Sequence, residues 1–152
     1  MIAVIQRVSR ASVAVAGTQV ASIERGLLVL LGVESSDTEE DARALAAKIG
    51  AIRVFPGRRP MDRDVSEVGG ALLIVSQFTL AASLEKGRRP GFGRAAPPEE
   101  ARGLYERFVH HAQAVGVPVQ CGQFGADMEV SLLNDGPVTY LLRSQDGQVR
   151  MP

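Results

Sequence analysis

Gly26-Leu27-Leu28-Val29-Leu30-Leu31-Gly32-Val33 is apolar throughout, with no polar residue to mark an outward face. It is far short of a membrane span and reads as a strand covered on both sides rather than an amphipathic one. Ahead of it, Ala3–Ile5 and Val13–Val15 alternate apolar with polar or small positions, and Ala16-Gly17-Thr18-Gln19 reads as a hairpin connection. Behind it, Ser36 or Asp37 is expected to cap a helix, with Glu39 and Glu40 in the first turn at the positive end of the dipole. Ala42, Leu45, Ala46, Ile49 and Ile52 recur at helical spacing and give one buried stripe. Residues 56–70 are polar and rich in Gly, Pro and Arg, which suits a loop.

The second strongly β-forming run covers residues 71–80, and residues 81–96 have little periodicity, as a functional loop would. Pro97 and Pro98 then open a second helix with Glu99 and Glu100 in its first turn. Its apolar face is Ala101, Leu104, Tyr105, Phe108, Val109, Ala112 and Val115, and Gly116 and Pro118 close it. Three short strands follow, over residues 117–121, 128–133 and 138–142. Residues 144–152 are polar and are expected to fray. No internal repeat or linker divides the chain. The expectation is a single α+β domain over residues 1–143, mainly antiparallel sheet with two helices packed on one side, followed by a polar tail.

Composition narrows the function. The 152 residues carry 17 basic and 17 acidic side chains, so the formal net charge is zero. Proteins that coat nucleic acid have a strong basic excess, so any RNA contact here is small and local. The single Cys121 excludes an internal disulfide and a multi-cysteine zinc site, and suits a reducing cytosol. Residues 1–8 alternate too regularly and too briefly for a signal peptide, and no run is long enough to span a membrane. The default location is cytoplasmic. Asp127, Glu129 and Asp135 lack metal-ligand spacing, and no cofactor is implied.

Two segments carry the chemistry. Ser76-Gln77-Phe78-Thr79-Leu80 puts polar side chains at the end of a buried strand, where they either bond to neighbouring backbone or floor a site. Asn134-Asp135-Gly136-Pro137-Val138-Thr139 is first of all a turn, with Gly free to take positive φ and Pro fixing its own. An X-Pro bond is cis in only about 5–6% of folded cases, so the motif alone does not select that isomer. Ser76 or Thr79 as nucleophile needs a base, and the only histidines are His110 and His111, adjacent on the second helix with at least one facing solvent. Neither a Ser-His-Asp order nor a nucleophile elbow is present, which argues against a side-chain triad.

Taken together, and over nearly the whole chain from Met1 to Tyr140, the two segments resemble the paired signature of the D-aminoacyl-tRNA deacylases. That resemblance implies a homodimer with a half-barrel-like sheet completed on dimerisation. The implied reaction is hydrolysis of the ester joining a D-amino acid, and also glycine, to the 3′ end of tRNA. In the family, the Gly-Pro pair is cis and enters the opposite subunit's active site, where its backbone rejects L-amino acids. This assigns chiral selectivity to Gly136 and Pro137, with Arg7 holding them. Such an ester is already activated and needs mainly an oriented water and oxyanion donors. Catalysis is therefore assigned to Ser76, Gln77, Phe78 and Thr79, mainly as backbone donors, with the ribose 2′-hydroxyl assisting.

Residues 123–128 are similar to the family segment that pockets the terminal adenine, which assigns adenosine binding to Phe124, Gly125, Ala126 and Met128. Aromatic stacking is the usual way to hold an unpaired base, while core packing is the bland alternative for Phe124. Gly87-Arg88-Arg89-Pro90-Gly91-Phe92 resembles the family's basic loop with Gly91 in place of Ser, and Arg88, Arg89 and Arg94 are candidates for phosphates or simply a solvated face. Two alternatives stay open: a related deacylase with a trans Gly-Pro bond acting on a small L-aminoacyl-tRNA, and a non-catalytic RNA-binding module of the same fold.

Overall fold

Two helices here are crossovers between parallel strands, and that decides which face of the sheet they cover. The computed structural model describes residues 1–85 and 87–152. Its elements are β1 (Ile2–Val15), β2 (Thr18–Ile23), β3 (Gly26–Gly32), α1 (Glu39–Ala51), β4 (Ala71–Ser76), a 3-10 turn (Phe78–Ala81), α2 (Pro98–Gln113), β5 (Val119–Cys121), β6 (Glu129–Gln145) and β7 (Gln148–Arg150). The sheet runs β5-β4-β3-β1-β6-β7, with β2 paired to β1 off this path. β3 is parallel to β4 and β4 to β5, and every other pairing is antiparallel. α1 links β3 to β4 and α2 links β4 to β5, successive crossovers in one direction along the sheet. Crossovers of one hand must land on one face, and both helices pack into the same core cluster. The expected α+β class, with mainly antiparallel strands and two helices on one side, is what forms.

The central strands are covered on both faces, as their unbroken apolar sequence requires. Leu27, Val29 and Leu31 of β3, with Leu72 and Ile74 of β4, face the helices. Leu28, Leu73 and Val75 face the other way, into a second cluster with Val8, Val13, Ala21 and Ile23 from the β1–β2 arm. That arm turns at Ala16 (φ 49°) and Gly17 (φ 79°), the two positive-φ positions of a tight hairpin.

Three local expectations are corrected. The cap of α1 is Thr38, not Ser36 or Asp37; the Asp41 carboxylate accepts from the Thr38 backbone N–H and hydroxyl, both at 3.0 Å. The strands expected over residues 128–133 and 138–142 are not separate but fall within the single β6, which begins at Glu129. The tail from Ser144 is not frayed, because Asp146 (φ 52°) and Gly147 (φ 71°) form a hairpin turn that pairs β7 with the end of β6. Buried Asp41 then clips this hairpin to α1, accepting from Ser144 Oγ at 2.9 Å and Gly147 N–H at 3.0 Å. Among the described residues, no helix is long and apolar enough to cross a membrane.

Candidate active site

Ser76 ends β4, and the chain then turns sharply across the end of β3. Gln77 N–H donates to Leu31 O at 2.7 Å, and residues 78–81 wind into the 3-10 turn. The turn fits only because Gly32 has no side chain: a Cβ there would lie 2.9 Å from Leu80 Cβ and 3.0 Å from Gln77 O. Phe78 and Thr79 are the first residues of the turn, so their N–H groups have no acceptor within it. Phe78 is 59% exposed, and its ring meets Phe92 at a centroid distance of 5.1 Å.

These residues border a cavity of about 500 Å³, walled by Leu31, Val33, Ser76, Gln77, Phe78 and Phe92 on one side and by Ala101, Tyr105, Phe124 and Gly125 on the other. The structure thus brings part of the catalytic segment and part of the adenosine segment to one apolar site. Thr79 does not line it; its hydroxyl accepts from Gln77 Nε2. Neither Ala126 nor Met128 lines it, and Met128 packs instead against the second core cluster. Phe124 lines the cavity half-buried, with the Arg102 guanidinium over its ring at 4.7 Å and Tyr105 tilted against it at 5.5 Å.

Titratable side chains near the cavity are unsuited to proton transfer. Burial pushes the Tyr105 phenol far above its ordinary range, and its hydroxyl donates to Ile74 O at 3.1 Å. Burial likewise pushes the Cys121 thiol up, away from the reactive thiolate. His110 and His111 occupy the last turn of α2, whose N-terminal turn borders the cavity; His110 is twelve positions along the helix from Pro98, about 18 Å of axis.

Asp135 to Val138 leaves the ladder. Gln6 pairs with Thr139 and Val8 with Asn134, so one residue of β1 faces four of β6, and the excess is extruded. Gly136-Pro137 lies exposed in this bulge and its peptide bond is cis. Arg7, the β1 residue opposite, donates through Nε to Asp135 O at 3.0 Å, pairs with Asp135 Oδ2 at 3.1 Å and also donates to Val54 O. Asn134 Nδ2 closes the bulge with bonds to Arg7 O at 2.9 Å and Val138 O at 3.2 Å. The motif read as a turn is therefore a buttressed projection within one strand.

The family model for D-Tyr-tRNA(Tyr) deacylase matches residues 4–143. The chain belongs to this family. Among its deacylase relatives, the D-aminoacyl-tRNA deacylase of Shewanella amazonensis is 56% identical over 144 residues, covering 94% of this chain and 99% of that one. That of Geobacter metallireducens is 54% identical over 145 residues, covering 95% and 96%. A solved structure titled c-Myc DNA Unwinding Element Binding Protein superposes with a TM-score of 0.89 at 40% identity, covering 95% of this chain and 99% of that one. A probable eukaryotic D-amino acid tRNA deacylase superposes with a TM-score of 0.79 at 20% identity, covering 92% and 97%, and so shares the fold.

Two residues of this deacylase-family chain escaped the sequence reading. Glu34, only 6% exposed, receives Arg143 at 3.2 Å and Arg94 at 3.6 Å. With Ser35, whose N–H donates to Arg94 O at 2.9 Å, and Ala96, whose N–H donates to Val33 O at 3.1 Å, it fastens the cavity-lining residues 95 and 96 to the end of β3. Arg94, one of the arginines open to either a phosphate contact or a solvated face, here pairs with Glu34 and helps tether this segment. The second residue is Arg102. No one-dimensional pattern marks either, since both depend on neighbours more than 20 residues away in the chain.

Proposed function

We propose that this protein hydrolyses the ester of D-aminoacyl-tRNA, and of glycyl-tRNA, as a homodimer acting on the tRNA 3′ end in the cytoplasm. The observation that carries the reading is the convergence of Ser76, Gln77 and Phe78 with Phe124 and Gly125 on one apolar cavity, in a chain of this family. Water adds to the acyl carbonyl, the unpaired N–H groups of Phe78 and Thr79 receive the developing oxyanion, and the C–O bond to the ribose breaks. The 2′-hydroxyl beside the ester supplies the proton handling that no side chain at the site is suited to.

Chirality is read by the backbone of Gly136 and Pro137 of a second copy. Neither Gly136 nor Pro137 lines the apolar cavity of its own chain, which suits delivery to another. A face for that copy exists: β6 pairs with β1 on one side but with β7 only from Arg143 to Gln145 on the other. Leu132, Leu133 and Leu141 of that strand are exposed, and an open apolar strand edge is a liability unless covered. Single-turnover deacylation of D-Tyr-, L-Tyr- and Gly-tRNA tests the activity, with sedimentation for the assembly. Cleavage of the D and Gly substrates alone, by a dimer, is expected; cleavage of L-Tyr-tRNA at the D rate, or full activity in a monomer, refutes it.

A further inference from the structure

We infer that Arg102 binds the phosphodiester on the 5′ side of the nucleotide whose base enters the cavity. The assignment rests on the deacylase reading and adds to it a residue from outside the sequence motifs. Arg102 is in the second turn of α2, directly after Ala101, which lines the cavity. Its guanidinium carbon stands 4.7 Å from the centroid of Phe124, also a lining residue. A Cβ built on Gly125, the next lining residue, would lie 4.0 Å from Arg102 Nη2, so the group sits at the cavity's rim.

Its pairing state and its anchor together separate it from the other arginines around the site. Arg88 and Arg89, in the loop before Phe92, are likewise without an ion pair among the described residues, but Arg102 is the one seen over a ring that lines the cavity. Arg94 and Arg143 are held by Glu34, Arg107 by Glu39 and Arg7 by Asp135. Arg102 makes no ion pair or hydrogen bond among the described residues; the Phe124 ring fixes its position while leaving the N–H fork unused. A guanidinium anchored by cation–π contact is already ordered, so an anion meeting it costs little further side-chain entropy. The cavity lining is apolar and supplies no charge for a phosphate, whereas its rim supplies this one. A planar fork beside a base-sized apolar pocket is the chemistry of a nucleotide with its 5′-phosphate. Covering one face of Phe124 with Arg102 also directs the base to the remaining walls, formed by Phe78 and Phe92.

The test compares two small esters: 3′-O-D-tyrosyl-adenosine and the same ester bearing a 5′-methyl phosphate. Wild type is expected to prefer the phosphorylated ester in kcat/KM by about ten- to a hundredfold, mainly through KM, the range of a hydrogen bond to a charged group. Arg102→Gln should abolish this preference and Arg102→Lys should restore part of it. A role confined to shielding Phe124 would lower both esters in parallel and leave the ratio intact. No phosphate preference in wild type, or an unchanged ratio in Arg102→Gln, overturns the assignment while the deacylase reading stands. Failure of wild type to hydrolyse either ester or D-Tyr-tRNA removes the deacylase reading, and the assignment with it.

Discussion

Arg7 grips Asp135 twice, taking the backbone carbonyl at 3.0 Å and the carboxylate at 3.1 Å with the same Nε. Its remaining reach goes to Val54 O, so one mostly buried guanidinium joins the extruded bulge of β6 to the segment after α1. Arg7→Ala leaves carbonyls of both segments without a donor and is expected to cost about 1–3 kcal/mol in urea unfolding. Arg7→Lys keeps the charge but not the fork. It should retain most of that stability yet lower D-Tyr-tRNA deacylation severalfold. Equal activity and equal L-rejection in Arg7→Lys would show that the projection needs no such brace.

Gly32 sets the position of the turn that carries Phe78 and Thr79, the proposed oxyanion donors. A methyl group there collides with Leu80 and the Gln77 carbonyl, and crowding of a packed site costs about 1–3 kcal/mol. Gly50→Ala is the control, since the nearest atoms its added methyl meets are those of the Val115 side chain, away from the cavity lining. Below both melting transitions, activity per folded molecule should fall at least about tenfold in Gly32→Ala, the rate expected from displaced donors. Gly50→Ala should keep its activity. Parallel losses in the two variants would mean the turn tolerates displacement.

Asp41 gives the fold an acid-sensitive clip. Burial works to raise its pKa, but hydrogen bonds from Gly147, Thr38 and Ser144 outweigh burial and hold it below the usual carboxylate range. A folded pKa below the unfolded one means a contribution present above the unfolded value and lost as pH falls through the folded value. With an unfolded value of about 3.9, the contribution is full above about pH 5 and fades below about pH 4. Asp37 acts oppositely, because burial leaves its pKa raised. The stability difference between wild type and Asp41→Asn isolates Asp41, and should shrink as pH is lowered from 6 to 3. A difference constant with pH would show that the carboxylate's charge is not what the clip uses.

Much of this architecture was legible because it is local. The two-faced burial of β3 follows from Leu27 to Leu31, and both helical stripes from spacing alone. What escaped involves partners distant in sequence. Asn134 to Pro137 reads as a chain reversal when its neighbours are Leu133 and Val138; only pairing with Gln6 and Val8 of β1 makes it a bulge in one strand. Met128 sits close to Phe124 in sequence but packs on the other face of the sheet. Asp146-Gly147 was a hairpin signal in plain view, hidden by the polarity of the residues around it. Its support comes from α1 and is polar, since Gly147 N–H donates to the Asp41 carboxylate at 3.0 Å.

Thr79 tests whether a side chain attacks. Its hydroxyl is exposed, accepts from Gln77 and lies outside the cavity wall. Thr79→Ala should keep single-turnover deacylation of D-Tyr-tRNA within about tenfold of wild type, whereas loss of a true nucleophile costs orders of magnitude more. Replacing the terminal 2′-hydroxyl of the substrate with hydrogen, with the ester kept on the 3′ oxygen, should hurt more than Thr79→Ala. A collapse of Thr79→Ala to the uncatalysed rate would return the mechanism to a side-chain nucleophile.

A site shared between subunits makes a prediction that a self-contained site does not. Gly136→Val places bulk on the projection, beside the Asn134 amide, while leaving the chain's own cavity lining intact. Ala95→Phe fills the cavity while leaving the projection intact. Each homodimer should be inactive for D-Tyr-tRNA, the first because both sites receive a damaged projection, the second because both cavities are blocked. Unfolding both together and refolding them at equal concentration gives mixed dimers in which one site combines a normal cavity with a normal projection. Random two-fold pairing leaves about one quarter of all sites whole, so about a quarter of wild-type activity should return. Refolding each variant alone under the same conditions controls for recovery. Mixed samples no more active than the separate ones would place the projection and the cavity in independent roles, and the cross-subunit filter would be wrong.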